Sequence, residues 1–156
     1  YIISIIIIMS NKNMQKYNFI EGIALADCCF EAYGSNYNEL FRNAAEATFS
    51  QMVNLKSVKG TEKRTIELKA DNIEELLYNF LSEIIALKDS LYMVFNKFDV
   101  KVNGKKNKFE LKADLYGEEI DQKKHKLGID VKAATYHQFK VWKEGKICKA
   151  RVILDI

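Results

Sequence analysis

The second half of the sequence alternates between apolar and polar residues in four successive runs. Alternation with a period of two is typical of β-strands that bury one face. Asn103-Gly104 lies between the first and second runs, and Glu144-Gly145 lies between the third and fourth. Both dipeptides are hairpin turn signals. The pattern therefore predicts two antiparallel hairpins, built from the runs 92–102, 108–116, 131–142 and 147–156.

Two helices are predicted in the first half, each with an apolar stripe at helical spacing. The first extends from Asn36 to about Val53, and Ser35 or Asn36 supplies the N-cap oxygen. The second begins after a cap at Asp71 or Asn72. Its predicted apolar face consists of Ile73, Leu76, Leu77, Phe80, Leu81, Ile84 and Ile85.

Three further segments, 17–21, 28–33 and 61–70, have the composition or alternation of strands. Strands and helices in this order predict an α+β domain. We expect a mostly antiparallel sheet of about six strands with two packed helices.

The length of 156 residues, with 48% apolar and 29% charged types, suits one globular domain. We assign residues 17–156 to that domain. Residues 1–16 are predicted to be an N-terminal extension, either disordered or read through from upstream sequence, with Met9 as the natural start. The apolar run before Met9 is far shorter than the roughly 20 residues that a membrane span needs.

The sequence lacks the motifs of several common enzyme classes: it contains no GxGxxG, no GxxxxGK[ST] and no GxSxG. Its three cysteines form no CxxC pair, which argues against structural zinc and suits a reducing compartment. The net charge of +3 does not indicate bulk nucleic-acid binding. We expect a cytoplasmic protein with no membrane association.

Carboxylates at the end of the sequence would form part of a metal site if the last strand is ordered. Asp155 and the terminal carboxylate of Ile156 lie one residue apart, and Asp27 is a candidate third ligand. Oxygen ligands are those that Ca²⁺ and Mg²⁺ prefer. On the residues alone, a solvated and frayed terminus is the simpler interpretation. Lys149 and Arg151 are also predicted on the same face as Asp155, where they would compete with a cation.

Two charged features have both a structural and a functional interpretation. The loop 117–125, which contains Asp121 and His125, is either a solvated loop or a docking surface for a partner. Lys132, in an apolar strand context, either lies on an exposed strand face or points into a neighbouring active site. The residues alone favour the structural interpretation of both features.

Three motifs carry a resemblance to a known family. The segment 121–137, which ends in Val131-Lys132-Ala133-Ala134-Thr135-Tyr136-His137, resembles the signature of the archease family. The ending Leu154-Asp155-Ile156 resembles that family's carboxyl terminus, and Asp27-x-x-x-Glu31-Ala32-Tyr33-Gly34 is similar to its amino-terminal motif. The resemblance extends from about Tyr17 to Ile156.

The resemblance implies a function and a fold. Archeases are small, non-enzymatic cytosolic activators of the RtcB-type tRNA-splicing ligase, which joins RNA ends with GTP and Mn²⁺. They promote guanylylation and multiple turnover of the ligase, so tRNA is an indirect partner. Their fold is a strand-helix-strand-strand module with an insertion.

The resemblance also implies roles for individual residues. Asp27, Asp155 and Ile156 are expected to bind a divalent cation, calcium being favoured and magnesium the alternative. Lys132 is expected to act on the ligase, and Asp121 and His125, within the same signature, are expected to take part in partner binding.

One departure from the family pattern concerns the residues before the first aspartate. The family usually has His-Thr-Ala-Asp there, whereas this sequence has Ala24-Leu25-Ala26-Asp27. Two other functions are open on the residues: a metal-dependent hydrolase or nuclease that uses the same carboxylates, and a small RNA-binding chaperone. The former would need a general base, for which His125 is a distant candidate.

Overall fold

The computed structural model describes residues 15–22 and 27–156. This part contains seven β-strands, two α-helices and one short 3₁₀ helix at Leu55–Ser57. In chain order the strands and α-helices are β1 Tyr17–Ile20, β2 Asp27–Gly34, α1 Tyr37–Met52, β3 Glu62–Ala70, α2 Ile73–Leu91, β4 Met93–Lys105, β5 Lys108–Glu119, β6 Ala133–Glu144 and β7 Ile147–Asp155.

The strands form two antiparallel sheets. The four-stranded sheet has the order β1-β2-β7-β6 and the three-stranded sheet the order β3-β5-β4. The α+β class with two packed helices is confirmed. The described part differs from the prediction in having seven strands divided between two sheets, where one sheet of about six strands was expected.

Both helices begin at an asparagine N-cap, as the sequence predicts. The side chain of Asn36 accepts a hydrogen bond from the backbone N–H of Glu39 at 2.9 Å. Asn72, rather than Asp71, caps α2 by accepting from the N–H of Glu75 at 2.8 Å. Each cap satisfies one of the N–H groups that the first turn of a helix leaves unpaired.

The core lies between the helices and the two sheets. Phe41 of α1 stacks on Phe80 of α2, with ring centroids 6.0 Å apart. Phe49 of α1 packs against Phe95 and Phe98 of β4. All five rings are buried. Because α1 also packs on β2, it joins the two sheets and places its C-terminal end beside the four-stranded sheet.

The hairpin between β4 and β5 turns at Lys106-Asn107, so the prediction of a turn at Asn103-Gly104 is wrong. Lys105 pairs with Lys108, and Gly104 pairs with Phe109 inside the ladder. Lys106 adopts the positive φ of 59° that a tight turn needs. A Cβ at Gly104 would overlap the carbonyl oxygen of Lys108, so this glycine permits close approach of the strands.

The predicted N-terminal extension, including the proposed start at Met9, lies outside the described residues apart from Gln15 and Lys16. The departure at Ala24-Leu25-Ala26 lies outside them as well. In the part of the chain that the structure describes, no helix combines the length and the apolar character needed to cross a membrane.

Candidate functional site

Asp27 and Asp155 lie opposite each other at one end of the four-stranded sheet. They are the last Cα partners of the antiparallel pair β2–β7. Residues directly opposite in such a pair have their Cβ atoms about 4.5–5.5 Å apart on the same face. Leu154 is fully buried in the core, so strand alternation turns Asp155 to the opposite face. The fold therefore brings these two carboxylates together.

Asp27 and Ile156 line one cleft of about 480 Å³, which we call the terminal cleft. Gln51 near the end of α1 and Ile129 from the loop before β6 form part of its wall. Asp155 adjoins this cleft through its register with Asp27. The three residues expected to bind a cation thus meet at one end of the sheet.

Main-chain contacts bring Lys132 to the same end. Its backbone N–H donates to the carbonyl oxygen of Asp155 at 2.8 Å, and the next residue, Ala133, pairs with Asp155. Lys132 is exposed, one residue before β6 begins. Strand pairing and this main-chain hydrogen bond therefore place one lysine and two aspartates at the same end of the sheet.

The cations predicted to compete for Asp155 have carboxylate partners of their own. Arg151 forms an ion pair with Glu31 at 3.5 Å, and Lys149 forms one with Glu144 at 2.5 Å. The Lys149–Glu144 hydrogen bond raises the pKa of the lysine and lowers the pKa of the glutamate. These pairs leave the carboxylates of Asp27 and Asp155 free of those two cations.

The donor atoms that Asp27, Asp155 and Ile156 offer are all oxygen, although Cys28 and Cys29 also line the terminal cleft. Within residues 15–22 and 27–156, no group of three or more histidine, cysteine, aspartate or glutamate side chains could hold a metal ion. Asp27 and Asp155 would provide two side-chain ligands, and the oxygens of Ile156 would complete the set. Such a set fits a hard cation that fills its remaining positions with water or a partner's oxygens.

His125 is buried and shapes the loop that leads to Lys132. Its Nδ1 accepts from the backbone N–H of Asp121 at 2.9 Å, so the proton of the neutral ring lies on Nε2. Nε2 donates to Glu118 Oε1 at 2.7 Å. The His125 side chain is 0% exposed, so His125 can influence a partner only through the loop that it holds.

Glu118 is the centre of this hydrogen-bond network. Partial burial would raise the pKa of its carboxyl, but hydrogen bonds from Lys124, the backbone N–H of Lys59 and His125 outweigh burial. Together they lower the pKa of Glu118 to about 2. The carboxylate is therefore charged throughout the neutral range and anchors the loop.

The loop is also fixed to the end of α1. Gly128 donates its N–H to Met52 O and Ile129 donates to Gln51 O, both at 2.8 Å. A Cβ at Gly128 would overlap the carbonyl oxygen of Gln51, so only glycine fits here. This docking places Ile129 in the wall of the terminal cleft.

Sequence reasoning missed Lys88 of α2. Its ammonium group donates to Asp130 Oδ1 at 2.7 Å and to the carbonyl oxygen of Val131 at 2.9 Å, and it contacts Asp89 at 2.8 Å. Burial would lower the pKa of Lys88, but its hydrogen bonds to the two aspartates outweigh burial and raise it. The available signal was its position, four residues after Ile84 on the apolar stripe.

Comparison with known proteins adds to this geometry. Residues 17–156 match the model of the archease protein family. The chain belongs to the archease family.

Named relatives of this archease-family chain match it over most of their length. A protein archease of Methanothermobacter thermautotrophicus is 36% identical over 143 residues, which are 92% of this chain and 100% of that protein. A protein archease of Pyrococcus abyssi is 39% identical over 118 residues, which are 76% of this chain and 83% of that protein.

Solved structures match the archease-family fold described above. The solution structure of protein 1598 of Methanobacterium thermoautotrophicum has a TM-score of 0.81 at 36% identity, covering 92% of this chain and 100% of that one. The crystal structure of a Thermotoga maritima protein described as an archease, possible chaperone, has a TM-score of 0.58. At 20% identity over 89% of this chain and 98% of that chain, the second likeness concerns the fold alone.

Proposed function

We propose that this chain is a non-enzymatic protein cofactor that activates a GTP- and Mn²⁺-dependent RtcB-type RNA ligase in tRNA splicing. It promotes guanylylation of the ligase and multiple turnover, and tRNA is its indirect partner. Membership of the archease family supports the class of function. The observation that carries the proposal is the register of Asp27 with Asp155, beside Lys132. It gathers two residues that the resemblance assigns to cation binding and the lysine that it assigns to action on the ligase.

We propose in addition that Asp27, Asp155 and Ile156 hold a divalent cation. Oxygen-only donors favour calcium, with magnesium as the alternative, because both are hard cations that prefer carboxylate and carbonyl oxygens. A bound divalent cation supplies a compact positive charge at the end of the sheet. The two aspartates bind and orient it, and Ile156 contributes main-chain oxygen at the edge of the terminal cleft.

Lys132 is the side chain proposed to act on the ligase. It is exposed, and its main chain is tied to Asp155, so a partner that meets the carboxylates also meets this lysine. Asp121 and His125 contribute indirectly, since their mutual hydrogen bonds fix the loop that leads to Lys132.

A ligation assay with cognate ligase, GTP, Mn²⁺ and RNA ends tests the proposal. Wild-type protein should raise multiple turnover and ligase guanylylation, and Asp155→Asn or Asp27→Asn should abolish most of that rise. Asp99→Asn is the matched control, because Asp99 is an exposed aspartate on the three-stranded sheet. Stimulation that is absent with wild-type protein, or equal for all four proteins, contradicts the proposal.

The hydrolase alternative needs a general base beside the same carboxylates. His125 is instead committed to Glu118 and Asp121, and the described lining of the terminal cleft includes no histidine. Incubation of the protein alone with labelled RNA separates the two functions. RNA turnover without ligase would favour the hydrolase over the activator.

A further inference from the structure

Exposed apolar side chains gather around a second cleft, which shares one wall residue with the terminal cleft. In the described part of the chain, five large hydrophobic residues are exposed, and Tyr92, Leu127 and Ile129 among them line a cleft of about 320 Å³. Met52 and Val94, both buried, also line this apolar cleft. Exposed apolar residues that are scattered singly need no explanation, whereas a cluster marks a candidate interaction site.

Tyr92 adds an observation about backbone strain. It ends α2 in the left-handed region, with φ 53° and ψ 48°, and its side chain is 49% exposed. Glycine is the favoured residue at such a helix end because a Cβ is strained there. The hydroxyl of Tyr92 accepts one hydrogen bond, from the exposed side chain of Gln122 at 3.3 Å. The face of the ring is left open to the cleft that it lines, which points to a use for the ring in binding.

The polar edge of the apolar cleft is acidic. Its lining contains one lysine, Lys88, and two aspartates, Asp89 and Asp130. The three hydrogens of the Lys88 ammonium group are taken up by Asp89, Asp130 and Val131 O. The side chains of Asp89 and Asp130 remain 60% and 75% exposed. A ligand that complements this edge carries positive charge beside an apolar group.

The apolar cleft adjoins the candidate metal site. Ile129 lines both clefts, and its N–H is held by Gln51 O at 2.8 Å. Three residues further along the chain, the backbone N–H of Lys132 donates to the carbonyl oxygen of Asp155. The two clefts therefore share a wall at Ile129, on the same loop as the lysine proposed to act on the ligase.

We propose that the apolar cleft is the docking site for a segment of the ligase that presents an apolar side chain next to a lysine or arginine. The inference rests on the proposed function and names the surface through which it works. The cleft volume lies at the lower end of the roughly 300–1,000 Å³ typical of ligand clefts. That size suits one or two inserted side chains, and the acidic edge pairs with the basic residue beside them.

Calorimetric titration of the full chain into cognate ligase tests this inference with two substitutions. Tyr92→Gly removes the ring and relieves the left-handed strain, so the melting temperature should not fall while the Kd rises about tenfold. Asp89→Lys reverses one charge of the acidic edge and should also raise the Kd. Tyr136→Ser is the control, because Tyr136 is 61% exposed but does not line the cleft; it should leave the Kd unchanged.

Activity measurements separate this inference from the proposed function. At saturating concentration Tyr92→Gly should still stimulate ligation, whereas Asp155→Asn should bind ligase normally and fail to stimulate. If wild-type protein binds ligase and both cleft variants bind equally well, only the docking site is overturned. If wild-type protein binds no ligase, both proposals fall. Self-association that Tyr92→Gly abolishes would assign the cleft to a second copy of the chain and overturn the ligase as its occupant.

Discussion

Lys88 of helix α2 donates a hydrogen bond to Asp130, 42 residues further along the chain, at 2.7 Å. The same ammonium group donates to the carbonyl oxygen of Val131, immediately before Lys132. The loop that carries Lys132 is therefore anchored to the C-terminal end of α2 by this one buried side chain.

Replacement of Lys88 by methionine should lower the free energy of unfolding by about 1–3 kcal/mol. Methionine keeps the apolar stem but leaves Val131 O without its donor. Urea denaturation measures the change. Lys69→Met is the control, because Lys69 and its partner Glu110 are 82% and 63% exposed and their ion pair should contribute almost nothing. Equal effects of the two substitutions would contradict the role given to Lys88.

Glu118 should make stability depend on pH in the acidic range. The pKa of its carboxyl is lowered from 4.5 to about 2 in the folded protein. A lowered folded pKa contributes stability that is complete above the unfolded value and is lost as pH falls through the folded value. Wild-type protein should therefore lose more stability between pH 4.5 and 2 than Glu118→Gln does, as urea midpoints across that range would show. Glu110→Gln, at an exposed position, should follow the wild-type profile.

Gly128→Ala should loosen the loop from helix α1. The added Cβ would overlap Gln51 O, and overpacking of this kind costs about 1–3 kcal/mol. Hydrogen exchange at the amides of Gly128 and Ile129 should speed up, because those groups bond to Met52 O and Gln51 O. Gly60→Ala is the control, since its nearest neighbours are side-chain atoms at 3.2 Å. Unchanged exchange in Gly128→Ala would show that the loop does not depend on this contact.

Calcium should stabilise the wild-type protein against heat. A ligand that binds only the folded state at 100 times its Kd adds about 2.7 kcal/mol. Asp27→Asn and Asp155→Asn should remove most of this gain, since each deletes one charged oxygen ligand of a small set. Thermal denaturation with and without calcium, repeated with magnesium, measures it. A gain that both variants retain would place the cation elsewhere.

The features that the sequence predicted well are local. The N-cap oxygens of Asn36 and Asn72 and the apolar stripe of α2 depend on residues three or four positions apart, and all appear in the structure. Strand alternation likewise indicates which residues face the core. It does not indicate which strand is the neighbour, so the division into two sheets was not predictable from the pattern.

The candidate site combines residues found in motifs that resemble a known family with contacts between residues far apart in sequence. The residues alone offered Asp27, Asp155 and Ile156 only as candidates, and the resemblance assigned them to a cation, because residues far apart in sequence give no local signal of their meeting. The hydrogen bonds of His125 and Lys88 depend on partners brought close by the loop and by the end of α2. An imidazole in a charged segment looks solvated in the sequence, whereas this one is buried against Glu118.

The position of β7 between β2 and β6 has a consequence for biosynthesis. During translation β2 leaves the ribosome long before β7. The edge of β2 that pairs with β7 in the folded protein therefore stays unpaired while the intervening residues are synthesised. Exposed strand edges of this kind are where nascent chains associate wrongly. The segment that brings Asp155 to Asp27 thus also covers an edge of β2 that stays open until the last described strand has been synthesised.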